Sequence, residues 1–117
     1  MVPRLLAVVM FAVHAAAYCG QDEFPEFADP RLQLGRKIWL STCRTCHATD
    51  LAGAPRITDK AAWAPRVKKG KDALYQHALQ GLFGPAGTEM PPRGGNDALT
   101  DDEVKAAVDY MVTVVAQ

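Results

Sequence analysis

The strongest periodicity in the chain lies near its C-terminal end. Val104, Ala107, Val108, Met111, Val112 and Val115 recur three and four residues apart and draw one apolar stripe, the signature of an amphipathic helix. Thr100 with Glu103 three places on forms a capping box, and Asp101 and Asp102 sit where a helix dipole favours negative charge. A second helix is predicted over residues 31–40, where Leu34 and Ile38 share one face and Gly35 and Trp39 a neighbouring one. That helix runs up to or into residues 43–47. Shorter helical pieces are predicted over 61–69 and 72–80, the second carrying Leu74 with Ala78 and Tyr75 with Leu79. Gly81 is placed to end it as a left-handed cap.

The segments between lack such patterns. Residues 48–60 contain Gly53, Ala54 and Pro55, a loop signal, and residues 82–96 form a Gly/Pro-rich loop with Met90 inside it. Residues 21–30 are acidic and punctuated by proline, and read as an extended lead-in. No stretch alternates with period two and no internal repeat is found. The predicted fold class is therefore all-α.

The N-terminal end has a different character. After Arg4, residues 5–13 are an unbroken apolar run, followed by Ala15, Ala16 and Ala17, the small residues a signal peptidase cuts after. A bilayer-spanning helix needs ~20 apolar residues, and this run stops far short. The expected organisation is a signal peptide over 1–17, a lead-in over 18–30 and one domain over 31–117, exported to the periplasm. The competing reading of the apolar run is a buried first helix.

Composition narrows the function. The chain has 117 residues and a formal net charge of zero, which becomes −1 once Arg4 is removed. That balance lacks the basic excess of a nucleic-acid binder. A mature domain of about 100 residues has little core for its surface, so a cofactor or crosslink would help hold it. Three cysteines are an odd number for an exported protein, and a cofactor using Cys43 and Cys46 leaves only Cys19 to explain.

Cys43-Arg44-Thr45-Cys46-His47 is the motif that carries chemistry. Zinc commonly wants two close ligand pairs, and here the second is missing. A thiol–disulfide exchanger places Cys-x-x-Cys after a strand, whereas residues 37–41 read as the end of a helix. Covalent haem uses every part of the motif. Two thiols add across the two vinyl groups of a porphyrin edge, and the adjacent histidine is held beneath the iron. Cys-x-x-Cys-His is the attachment signature of haem c.

A haem iron has a sixth position, for which His77, Met90 and Met111 are the downstream donors. Met111 belongs to the apolar stripe, and His77 lies in a short helix between Gln76 and Gln80. Met90 stands in a stiff loop, and Pro91 pushes its backbone toward extended geometry. The prolines also lower the entropy lost when that loop is ordered. Met90 is the expected axial ligand opposite His47.

The chain at this point resembles a known family. Gly35-Arg36-Lys37-Ile38-Trp39, the motif at 43–47, Gly53-Ala54-Pro55-Arg56, Trp63, Arg66 and Met90-Pro91-Pro92-Arg93-Gly94-Gly95-Asn96 are similar to class I bacterial cytochromes c, above all the small c₅ type. Residues 99–111 extend the likeness, which covers roughly residues 34–112. The resemblance implies a small class I cytochrome fold, with N- and C-terminal helices crossing and short helices and loops wrapping one haem. It also implies that the Pro55 carbonyl accepts the Nδ1 proton of His47. Gly35 and Trp39 would meet the last helix near Tyr110. Trp63 and Arg66 would lie near the haem propionates, though core packing is an equal reading of Trp63. Some c₅-type proteins carry an extra cysteine pair before the last helix. Residues 94–99 here have none.

The function expected is periplasmic one-electron transfer by a single haem c bound through Cys43 and Cys46, and not enzymatic turnover. Partners are redox proteins: a dehydrogenase, an oxidase or a reductase. The alternatives are a haem enzyme or gas sensor with a displaceable sixth ligand, or a dedicated cytochrome subunit. Arg66, Lys68, Lys69 and Lys71 form a basic cluster that reads either as solvated surface or as a dock for an acidic partner. Cys19 is left for a free thiol or an interchain disulfide. Lipidation, the one route to membrane contact, is opposed by Tyr18 where a small residue is needed.

Overall fold

A computed structural model describes residues 24–117. The predicted signal peptide and Cys19 lie outside the described residues. The described chain is mostly helical. Helix α1 spans Pro30–Ile38 and begins with Asp29, whose carboxylate accepts from the amides of Arg31 (2.7 Å) and Leu32 (3.3 Å), while Pro30 supplies a pre-set first turn. The helix does not stop at Leu40. It widens into a π-helical turn, Trp39–Cys43, and continues as a single α turn, α2, over Arg44–His47.

Helices α3 (Lys60–Val67) and α4 (Lys71–Gln80) follow, α3 capped by Asp59 onto the Ala62 amide at 2.9 Å. Helix α5 (Asp101–Val115) closes the fold, and both bonds of the Thr100/Glu103 capping box are made. Gly81 does end α4, but with φ +83° and ψ 168°. That is extended backbone open only to glycine, not the left-handed cap expected, because the chain must turn directly into a strand.

That strand corrects the loop reading of residues 82–96. Leu82–Phe83 (β1) pairs antiparallel with Glu89–Met90 (β2), Leu82 opposite Met90 and Phe83 opposite Glu89. A turn at Pro85–Gly87 and a bond from the Gly84 amide to the Thr88 carbonyl (2.7 Å) close the hairpin. Two residues per strand are too few to show alternation.

Helices α1 and α5 cross with their backbones nearly touching. A Cβ on Gly35 would fall inside the van der Waals envelope of the Ala106 carbonyl and of Tyr110 Cβ, so only glycine fits. Trp39 and Tyr110 are wholly buried beside that crossing, their ring centroids 6.1 Å apart. Phe24 packs against Trp39 with centroids 4.1 Å apart and the rings tilted by 47°, Phe27 meets Tyr110 edge-on at 5.9 Å, and the Tyr110 hydroxyl donates to the Pro25 carbonyl at 3.0 Å. The described part of the lead-in is thus a strap packed over the crossing. The Trp39 indole N–H, enclosed by apolar rings, has no acceptor among the described residues.

The apolar side chains form two clusters on either side of α5. One joins Trp39, Ile57, Trp63, Tyr110 and Met111; the other joins Leu74, Ala78, Val104 and Val108, with Met90 packed against it. Between them lies the site.

Candidate haem site

The π turn and α2 form a continuous wall that ends in His47, and this wall carries Cys43 and Cys46 as free, half-buried thiols. Burial pushes the Cys43 thiol up to about 11, so it stays protonated at neutral pH. His47 is buried, and the withdrawal from water outweighs its bond to Pro55 and holds its pKa below the ordinary value.

The His47 ring is fixed by the loop that follows it. Nδ1 lies 2.8 Å from the Pro55 carbonyl oxygen, which can only accept. The neutral ring therefore carries its proton on Nδ1, leaving the Nε2 lone pair free. The Ile57 amide donates to the His47 carbonyl at 2.8 Å, and the Trp63 indole N–H donates to the Arg56 carbonyl at 2.8 Å. Three successive residues, 55–57, are thereby clamped under the histidine. Asp50 (φ +58°) and Ala52 (φ +55°) take left-handed backbone to make this return.

Cys43, Cys46, His47 and Met90 all border one cavity of about 470 Å³, mainly apolar in lining. That volume lies in the roughly 300–1,000 Å³ range of small-molecule and cofactor sites. Helix α5 contributes Val108 and Met111, and α4 contributes Leu74 and Ala78. The donor set is two thiols, an imidazole with a free lone pair and a thioether. Soft sulfur and nitrogen donors around an apolar space suit a covalently held haem. Among the described residues, no three His, Cys, Asp or Glu side chains gather to hold a metal ion, so the zinc reading has no second ligand cluster.

The remaining site residues are placed as follows. Trp63 is buried in the core and reaches the cavity with its ring, 5.9 Å from that of His47. Its N–H is committed to the Arg56 carbonyl, which ties the ring to the 55–57 segment. Arg66 borders the cavity while one guanidinium nitrogen donates to the Ala62 carbonyl of its own helix. His77 and Met111 also border the cavity. Sequence reasoning passed over Asp109, a buried carboxylate on α5, because a search for apolar stripes skips charged positions.

Comparisons with known proteins agree with this geometry. Residues 30–111 match the family described as "Cytochrome C oxidase, cbb3-type, subunit III". Cytochrome c-555 of Chlorobaculum tepidum is 46% identical over 78 residues, 67% of this chain and 71% of that protein. Cytochrome c5 of Azotobacter vinelandii is 42% identical over 79 residues, 66% of this chain and 89% of that protein. A chain from the solved "electron transfer complex of nitrite reductase with cytochrome c" superposes with a TM-score of 0.63 at 42% identity, covering 74% of this chain and 96% of its own.

Fold and site together define a small helical protein built to hold one covalently bound haem c. The chain belongs to the cytochrome c family, with cytochromes c-555 and c5 among its relatives.

Proposed function

We propose that this protein is a periplasmic one-electron carrier whose haem is held through Cys43 and Cys46 and ligated by His47 and Met90. The observation that carries the reading is that the tethered imidazole and the hairpin methionine border the same apolar cavity as the two thiols. When bound, the haem supplies an iron that takes up and gives back one electron. Cys43 and Cys46 would hold the group as thioethers, each S–H adding across a vinyl double bond with its proton going to carbon, so attachment would consume no oxidant. The Pro55 carbonyl orients His47 and raises its basicity through Nδ1. The Met90 thioether, a soft neutral donor, favours the reduced state relative to a second histidine. Val108, Met111, Leu74 and Ala78 exclude water, which also disfavours the extra positive charge of the oxidised state.

Periplasmic location rests on the sequence of residues 1–17. Among the described residues, no helix is long and apolar enough to cross a membrane. The partner proposed is another redox protein, as for the related cytochrome c solved in complex with nitrite reductase. Co-purification with a dehydrogenase or oxidase would instead make it a dedicated subunit.

The test is the visible spectrum of protein matured with haem: oxidised, reduced, and reduced under carbon monoxide. A sharp low-spin reduced spectrum unmoved by carbon monoxide is expected, since both axial positions are filled. A carbon monoxide shift would overturn the closed site and favour a haem enzyme or sensor, with His77 at the cavity as its acid–base group.

A further inference from the structure

One cluster of charged side chains lies apart from the haem cavity and is tied to it through the backbone. Asp109 sits on α5 with its side chain 7% exposed. Its two oxygens face different helices. Oδ2 accepts from Arg31 Nε of α1 at 2.6 Å, while Oδ1 accepts from Lys71 Nζ at 2.8 Å and from the Tyr75 hydroxyl at 2.5 Å, both of α4. Arg31 also reaches Asp102 at 2.9 Å. One carboxylate thus joins α1, α4 and α5.

Stability alone is a poor reason for such a group. Its cationic partners are half exposed, Arg31 by 40% and Lys71 by 57%, so water screens the pairs and they add little stability, and the better-attested use of such a carboxylate is to fix geometry. The geometry it fixes is that of α4. From the C-terminal end of α4, Gly81 leads directly into β1, and Leu82 of β1 is paired with Met90 of β2. There is no slack at this joint: a Cβ on Gly81 would lie 2.8 Å from the Met90 carbonyl oxygen and 3.0 Å from Pro92 Cδ. Met90 itself packs against the cluster of Leu74, Ala78, Val104 and Val108, whose first two members belong to α4. A shift of α4 on α5 must therefore move both the strand that pairs with Met90 and the side chains beside it.

We infer that Asp109 is a positioning residue for Met90: through its Oδ1 bonds to Lys71 and Tyr75 it seats α4, and α4 holds the Met90 hairpin against the haem cavity. The inference rests on the reading of Met90 as the axial ligand. It makes an asymmetric demand on the two oxygens. The bonds on the α4 side set ligand strength, whereas the Arg31 bond on the α1 side contributes to stability alone.

The experiment compares the haem-loaded full chain with K71M/Y75F, R31M and M90A variants. It reads the carbon monoxide affinity of the reduced protein by spectral titration under pressure, carried far above the concentrations that leave the parent spectrum unmoved, alongside urea unfolding. The M90A variant calibrates the open site and should bind carbon monoxide freely. K71M/Y75F should raise the affinity about tenfold over the parent, the scale at which changes along a contact chain alter coupling. R31M should lose stability yet keep an affinity within about twofold of the parent. Equal affinity changes in R31M and K71M/Y75F, or none in K71M/Y75F, would overturn the inference while leaving Met90 as ligand. A site that stays closed in M90A would overturn the Met90 reading and this inference with it. Should K71M/Y75F fail to fold, Y75F alone removes one Oδ1 bond and must still raise the affinity.

Discussion

The two faces of α5 are built to different rules. Toward α1 the contact is backbone on backbone, Gly35 against Ala106, with Trp39 and Tyr110 fully enclosed beside it. Toward the cavity the same helix offers Val108 and Met111 to a space of about 470 Å³ bordered by Cys43, Cys46 and His47. The first face is a packing problem the polypeptide solves by itself, and glycine is its solution. The second leaves an apolar space larger than any side chain, the room a bound cofactor would need. The comparison teaches where damage should appear: on the α1 face in stability, on the cavity face in cofactor retention and ligation.

The largest effect expected is on the cavity face. Replacing Cys43 and Cys46 together by serine removes both nucleophilic sulfurs. After maturation, haem should run off the protein on a denaturing gel and extract completely into acidified solvent. Retention of haem by the double variant would place the attachment elsewhere.

Next in size is the helix crossing. Gly35→Val forces a branched side chain against the Ala106 carbonyl and should cost about 3 kcal/mol in urea unfolding, the upper range for overpacking. The reduced spectrum of the folded fraction should be unchanged, because the strain falls on the other face of α5. A changed spectrum at unchanged stability would break the division between the two faces.

The smallest effect concerns acid. Burial pushes the Asp109 carboxyl up, but hydrogen bonds from Lys71, Tyr75 and Arg31 together outweigh it and leave the pKa below its ordinary 3.8. A carboxyl whose folded pKa is depressed adds stability that is complete above its unfolded pKa. That stability is lost as pH falls through the folded value. The parent should therefore lose stability on acidification below pH 3.8, and Asp109→Asn should flatten that part of the curve. Parallel acid limbs in the two proteins would contradict the assignment.

How much of this could be read from the chain depends on the range of the interactions. Thr100 with Glu103, and Pro91 beside Met90, act over one to three residues, and the helix start and the extended backbone at Met90 stand where local chemistry puts them. The attachment motif is legible for the same reason. The π turn is not, since no residue of Trp39–Cys43 demands it. Asp109 is the extreme case. Its partners stand 34 and 78 positions away at Tyr75 and Arg31, and nothing in the chain announces that they will converge.

The most direct test of His47/Met90 ligation is nuclear magnetic resonance of the reduced, haem-loaded protein with ¹³C-labelled methionine methyl groups. A methyl held on the axial sulfur lies over the face of the porphyrin and is shifted far upfield by its ring current. The Met90 methyl should carry that shift, and it should persist in a Met111→Leu variant. The upfield signal disappearing with Met111, or no methionine methyl being shifted at all, would contradict the account.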